Sequence, residues 1–431
     1  MDAPVTAARQ ALSAQRRPQV LAAAALPGLV RPGAWVFVPG SSGAPQTFMT
    51  ELFRHPDHTE QARVITTYVP GINKLDLSQM HASGRVAGLF SQPGATEAQR
   101  AGQFGALPMS YAGFARYMQD QLDLDLAVVQ VAAPDRHGQC SLGPMVEFNQ
   151  LALGKAKRRL ALINRQTPVV PGSPSIPYEA FDYVCEVDEA LPVYDAPADA
   201  GTEQIAHHVA SLIGDGVVLQ AGLGKVPTAL MRLLTDRRGL RLHSGMVSDG
   251  LLDLAQAGAL DMSFMHTTAV VVGSNRLYEA VQDFSPLRVL GCEFTHSPQT
   301  LLGLERFVAV NSALEIDLFG QCNLENANGR AISGPGGAPD FARAGRLSPH
   351  GCSIVAMQAS HPKGSRIVPS LGAKAMVSLP RVDVSYVVTE FGVADLTGAS
   401  VHERAEAIIE VAAPEYRSEL RTAWQDIAAR L

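Results

Sequence analysis

Two stretches of this chain repeat one pattern, and the repeat constrains the fold more than any composition figure. Gly33-Ala-Trp-Val-Phe-Val-Pro-Gly-Ser-Ser-Gly-Ala-Pro45-Gln-Thr-Phe-Met49 matches Gly216-Val-Val-Leu-Gln-Ala-Gly-Leu-Gly-Lys-Val-Pro227-Thr-Ala-Leu-Met231 with one residue of gap. Each stretch reads as a Gly turn, an apolar strand, a Gly-rich loop and a helix with Pro near its start. Pro suits that place because the first helical N–H groups have no intrahelical partner. The offset is 216 − 33 = 183 residues, so the chain reads as two related halves. The polar stretch Asp195–Gly201 (DAPADAG) marks the boundary, giving domains at 1–197 and 198–431. Strand–loop–helix units recur throughout α/β proteins, so the repeat speaks to architecture rather than chemistry.

The rest of the chain alternates short β-branched runs with longer amphipathic stretches, the pattern of βαβ units around buried parallel strands. Strands are expected at Trp35–Val38, Arg63–Tyr68, Leu126–Val131, Arg159–Asn164, Val217–Gln220, Ala269–Val272, Phe307–Asn311, Ser353–Met357 and Val384–Thr389. Helices are expected near Gln46–Arg54, Thr202–Ile213, Pro227–Leu234, Val401–Ala412 and Glu415–Ala429, and over the first twenty residues. The fold class is α/β.

Composition removes several functions. Lys and Arg total 35 against 41 Asp and Glu, a net charge of −6 over 431 residues, which excludes a dominant polyanion-binding role and argues against nucleic acid as partner. With 46% apolar and 18% charged residues the core is ample. The five cysteines form no CxxC pair, so no structural zinc or other metal site is expected, and an odd count without framework spacing suits a reducing compartment. The N-terminus lacks the apolar core of a secretory signal, and no run of 18 apolar residues occurs, so no membrane association is expected. A cytoplasmic enzyme, as a homodimer or other homo-oligomer, is the expectation.

Four segments can carry chemistry. Gly222-Leu-Gly224-Lys-Val226-Pro227 ends a strand and opens a helix, where backbone N–H groups can hold a phosphate or an oxyanion; it is neither a GxGxxG nor a P-loop motif. Ser333-Gly-Pro-Gly336-Gly337-Ala-Pro-Asp-Phe341 can bring amides close to a tetrahedral oxyanion. Lys363 and Arg366 are spaced to meet a phosphate or carboxylate. His243, Ser244 and Asp249 invite a catalytic-triad reading, but local spacing does not build a triad and there is no GxSxG elbow, so a structural His and a helix-capping Ser or Asp are the default.

Six segments in one order resemble the acetyl-CoA hydrolase/transferase family, which is similar to class I CoA-transferases such as 4-hydroxybutyrate and acetate CoA-transferases. They are Asp135–Gly143, Gly222–Pro227, Asn311–Gln321, Ser333–Phe341, Ser365–Pro369 and Thr389–Leu396. The resemblance implies two similar open α/β domains of the NagB/RpiA type with the site between them. It implies coenzyme A and acyl-CoA as substrates, a small carboxylate as acceptor, and no permanently bound cofactor. In such enzymes a glutamate attacks the thioester and passes CoA on through a glutamyl-CoA intermediate. Gly222, Gly224, Val226 and Pro227 resemble the family's CoA-contacting loop, Gly336 and Gly337 its oxyanion loop, and Lys363 a CoA-contacting lysine.

The chain departs from that family in one place. The nucleophile's segment has the form His-Thr-Glu-Met followed by Ser-Asp-Gly; here it is His243-Ser-Gly245-Met246 followed by Ser248-Asp249-Gly250. Gly245 stands where the glutamate is expected and cannot form the covalent intermediate. Three consequences compete. The first is direct attack by water or an acceptor, activated by His243 or Asp249, which gives an acyl-CoA hydrolase or a ternary-complex transferase. The second is another carboxylate reaching in, from Asp249, Glu147 or Glu315. The third is a non-catalytic binder of CoA or acyl-CoA. Transfer of CoA is preferred by family resemblance. Acyl specificity is expected from Phe90, Gln92, Phe104, Met109 and Tyr111 in loop-like segments of the N-terminal half.

Overall fold

The computed structural model of the chain describes residues 17–327, 329–373 and 375–431. The helix expected over the first twenty residues lies outside the described residues as far as residue 16; Gln19–Val20, beyond it, is a short strand. The chain divides into two compact units. The first takes the described residues up to Pro108, then Gly113–Tyr194 and Ala269–Glu293; the second takes Met109–Ala112, Asp195–Thr268 and Phe294–Leu431. The main break therefore falls three residues ahead of the expected 197/198 boundary, and two segments, Met109–Ala112 and the longer Ala269–Glu293, belong to the other unit.

The first unit is a parallel sheet. Its strands run, edge to edge, Gln19–Val20, Tyr183–Val187, Arg158–Asn164, Leu126–Val131, Trp35–Val38, Arg63–Thr66, Arg85–Gly88 and Phe104–Ala106. Every residue of Leu126–Val131 is buried, the signature of a strand covered on both faces. Helix Gln46–Arg54 lays Phe48, Met49 and Leu52 on this core. Burying each of those side chains is worth about 2–3 kcal/mol before the entropy of ordering it.

In the second unit the order is Arg241–Val247, Val218–Ala221, Phe307–Ser312, Cys352–Ala356, Tyr386–Thr389 and Gly392–Asp395. The first five are parallel and the last returns antiparallel. Those five strands follow the same order as Arg63–Thr66, Trp35–Val38, Leu126–Val131, Arg158–Asn164 and Tyr183–Val187, so the sequence repeat is a repeat of topology. Trp35–Val38 and Val218–Ala221 hold equivalent interior places, each flanked by the strand that follows it in the chain and by a remote one.

Element ends differ from expectation where caps decide them. Helix Ala200–Ser211 starts two residues early because Asp199 and Thr202 form a reciprocal capping box; Ser400 with Glu403 starts Val401–Glu410 at the expected residue, and that helix ends two residues short. Strand Arg63–Thr66 stops two residues short. The strand expected at Ala269–Val272 runs His266–Val271.

Candidate active site

In the second unit, strand Val218–Ala221 delivers the chain to the loop Gly222–Gly224, and helix Lys225–Leu233 leaves it. Gly224 caps the helix at φ +130°, a backbone conformation that side chains resist. No side chain caps this helix, and the amides of Leu223, Gly224, Lys225 and Val226 donate to no acceptor among the described residues, while that of Gly222 continues the ladder toward Val310. A Cβ added at Gly222 would touch nothing within 4 Å, so the loop is open on that side. Beside it lies a cavity of about 20 Å³ lined by Ala221, Gly222, Pro227, Ser244, Met246 and Ser248, among others. The Lys225 ammonium sits 2.8 Å from Asp199, a contact that with the helix-cap bond lowers that carboxyl to about 2.

The second glycine loop ends at helix Ala338–Leu347, with Gly336 at φ +56° and Gly337 at the cap. The amides of Gly336 and Gly337 also donate to no acceptor among the described residues. The loop is held by the segment Met109–Ala112. Tyr111 N–H donates to Gly336 O (3.2 Å), Ser110 Oγ to Asp340 (2.7 Å) and Ala112 N–H to Asp340 (3.0 Å). Burial pushes the Asp340 carboxyl up to about 6 despite those donors.

Gly245 lies in strand Arg241–Val247, and its carbonyl accepts from Thr268 Oγ1 (3.3 Å). A Cβ here would meet His296 Nε2 at 3.2 Å, its Cε1 at 3.4 Å and Phe341 at 3.4 Å. A Cβ at Gly337 would lie 2.4 Å from the same Nε2. His296, absent from the candidates read in the sequence, thus occupies the room that both glycines leave. It is buried, with its ring between Tyr111 (4.9 Å) and Phe341 (4.5 Å), and its Nδ1 is 2.8 Å from Thr295 Oγ1. Burial, with His243 nearby, drops it to about 3. Ser297, capping helix Pro298–Leu302, fixes the chain directly after it.

The remaining candidates are more scattered. His243 is buried and shares a 2.7 Å hydrogen bond through Nε2 with Thr295 O, and Ser244 Oγ donates to Ala221 O (2.9 Å). Asp249 precedes helix Gly250–Gln256 without a side-chain capping bond, unlike the expected cap. Lys363 is exposed in the turn joining Ser360–His361 to Gly364–Ser365. Glu147 is buried in the first unit at φ +39° and accepts from Thr67 Oγ1 (2.6 Å), and Glu315 faces Asn323 Nδ2 at 3.5 Å in a short strand of the second unit. Of the specificity candidates, Met109 and Tyr111 belong to the second unit, with Tyr111 opening helix Tyr111–Asp120. Phe104 is not in a loop but in edge strand Phe104–Ala106, and Gln92 donates to Tyr68 O (2.7 Å). Phe90 lies at a bend. Glu293 was also missed in the sequence; burial raises its carboxyl to about 7, and its Oε2 has no partner among the described residues. No group of three or more His, Cys, Asp or Glu among the described residues is placed to hold a metal ion, and no described helix is long and apolar enough to cross a membrane.

Two parallel-sheet units of repeated strand order, one with glycine loops whose amides are unpaired among the described residues, define an α/β protein. A family model for the acetyl-CoA hydrolase/transferase N-terminal domain matches residues 7–194, and that for the C-terminal domain matches 273–424. A 4-hydroxybutyrate coenzyme A transferase of Clostridium kluyveri is 31% identical over 388 residues, covering 88% of this chain and 90% of its own. An acetyl-CoA hydrolase of Kluyveromyces lactis is 26% identical over 355 residues, 72% of this chain and 67% of its own. The crystal structure of RipA from Yersinia pestis superposes with a TM-score of 0.87 at 25% identity, over 95% of this chain and 98% of that one. The chain belongs to the acetyl-CoA hydrolase/transferase family, enzymes that transfer or hydrolyse CoA thioesters.

Proposed function

We propose that this enzyme moves CoA from an acyl-CoA to a small carboxylate, with no side-chain carboxylate acting from position 245. The observation that carries the reading is the row of amides from Leu223 to Val226, unpaired among the described residues, at a helix start that no side chain caps. Such a row suits the phosphates and polar amides of CoA. Gly222, Gly224, Val226 and Pro227 form its CoA loop, and Lys363 adds a positive charge for a phosphate. CoA enters as substrate rather than as a resident group.

The acceptor carboxylate adds directly to the thioester carbonyl carbon. The carbonyl electrons move to oxygen, where the amides of Gly336 and Gly337 receive the charge. Collapse breaks the C–S bond and leaves an anhydride and CoA thiolate; the thiolate then attacks the acceptor's carbonyl and releases the original acid. His243, tied to Thr295 O, holds the strand that carries Gly245. Asp249 stands at the helix start three residues beyond Met246 and is the candidate to orient the attacking group.

The test is incubation with several acyl-CoAs, with and without acetate or succinate, following free CoA and new thioesters separately. A new thioester that appears only with acceptor is the expected result. Free CoA released without acceptor would make the enzyme a hydrolase, and no turnover with no CoA affinity would overturn the reading.

A further inference from the structure

The two glycines at the heart of this site share one neighbour. His296 Nε2 is the nearest heavy atom to a Cβ placed at Gly245 and to one placed at Gly337, at 3.2 and 2.4 Å. The imidazole edge is therefore wedged between the strand position 245 and the cap of helix Ala338–Leu347. A side chain at Gly337 would displace the ring, and one at Gly245 would press on it. Tyr111 and Phe341 flank the ring and fix its plane.

The proton on that ring is set by Thr295. Its hydroxyl is fully buried, and among the described residues its one hydrogen-bond partner is His296 Nδ1 at 2.8 Å. If Nδ1 carried the proton, the hydroxyl hydrogen would be buried without an acceptor, at a cost of about 1–3 kcal/mol. The favoured arrangement has the hydroxyl donating to Nδ1, which puts the ring proton on Nε2. Burial keeps the ring uncharged, so that proton stays in place across the neutral range.

We propose that His296 is a catalytic residue: its neutral Nε2–H donates to the thioester carbonyl oxygen beside the amides of Gly336 and Gly337. The inference rests on the thioester chemistry proposed above. In the addition step the nucleophile's oxygen bonds to the carbonyl carbon and the C=O π pair moves onto oxygen. Nε2–H strengthens its hydrogen bond as that charge forms and keeps its proton. Collapse restores C=O, breaks C–S and releases CoA thiolate. Gly245 acquires a reason on this account: it makes room for a ring that supplies a donor, where a glutamate would supply a nucleophile.

The test combines turnover with tautomer assignment. In 15N-histidine-labelled enzyme the His296 signal, identified by its loss in His296→Gln, should show Nε2–H and remain unchanged from pH 5 to 8. His296→Ala should lower kcat on the order of 10²–10³-fold with KM little changed, and His296→Gln, which keeps an N–H donor, should retain more. Thr295→Val, which preserves shape, should give mixed tautomers and a several-fold lower kcat even if His296→Ala does not fold. An Nδ1–H tautomer, or a folded His296→Ala enzyme with unaltered kcat, overturns the inference alone. Absence of any thioester turnover by the unaltered enzyme overturns the function proposed above, and this inference with it.

Discussion

The same strand–loop–helix occurs once in each unit, and the two copies have been finished differently. In the first unit the loop Gly40–Pro45 is buried throughout, and four of its amides are spent internally, Ala44 N–H on Ser41 O among them. Gly40 N–H goes to Thr67 Oγ1 (2.9 Å), Ser41 N–H to Asn73 Oδ1 (2.6 Å) and Gly43 N–H to Gly40 O (3.1 Å). Ser41 holds φ +49° to close the turn. In the second unit the loop keeps the amides of Leu223 to Val226 unpaired among the described residues, with open space beside Gly222. Topology was copied; availability for a ligand was not. A glycine loop after a parallel strand is a scaffold that becomes a site only if its own unit does not fill it.

The sharpest way to break this comparison is to add one methyl group to each loop. A Cβ at Gly40 would fall 2.2 Å from the backbone oxygen of Thr67, which cannot step aside. Gly40→Ala should cost about 3 kcal/mol in urea unfolding. Gly222→Ala should change stability by less than about 0.5 kcal/mol and instead weaken CoA binding in calorimetry. Equal tolerance of both would erase the distinction.

The next largest effect concerns position 245. Gly245→Glu forces a side chain against His296 and should cost about 2 kcal/mol. Gly245→Glu combined with His296→Ala should regain part of that stability, and on incubation with an acyl-CoA only the double variant should become covalently labelled, its carboxylate taking CoA as the acid is released. Labelling of the single variant would show that the ring gives way easily.

Among the described residues, each unit holds a half-buried carboxyl above its ordinary range: Glu293 in the first, up from 4.5 to about 7, and Asp340 in the second, up from 3.8 to about 6. Such a group binds its proton more tightly folded than unfolded, so its contribution to stability falls as pH rises through those windows. His266 and His296, held down at about 4 and about 3, act in the opposite sense, and stability is lost as pH drops below 6.5. The stability of Glu293→Gln minus that of the unaltered protein should rise from pH 4.5 to 7, and that of Asp340→Asn from pH 4 to 6. Flat differences in pH-dependent denaturation would remove both carboxyls from the account. The smallest effect belongs to exposed Lys363. Lys363→Ala should leave stability within about 0.5 kcal/mol and weaken CoA binding a few-fold, less so at high salt.

The sequence showed the architecture well because its evidence is local. Trp35–Val38, Leu126–Val131 and helix Gln46–Arg54 appear at the expected bounds, since β-branched runs and a 3.6-residue apolar stripe need no tertiary knowledge. The glycine loops at Gly222 and Gly336 were visible for the same reason. His296 was not. Its meaning comes from two glycines far away in the chain, and a histidine between Thr295 and Ser297 carries no periodic mark. The one available signal was negative: a missing side chain at Gly245 leaves volume that something must fill. The transfer of Met109–Ala112 to the second unit was equally hidden, because it depends on Asp340 accepting from Ser110 and Ala112.

Strand Val218–Ala221 has a consequence in time as well as in space. It pairs with Arg241–Val247 on one side and with Phe307–Ser312 on the other, so the second partner arrives only after a long excursion of the chain. Parallel pairings of this kind close late, because loop entropy is spent before the contacts repay it. The open glycine loop hangs from the end of that strand and acquires its geometry only when both neighbours are in register. Occupancy of the loop by ligand is therefore a readout of completed folding, and a ligand that holds it would resist the first unzipping of the sheet as well as take part in the reaction.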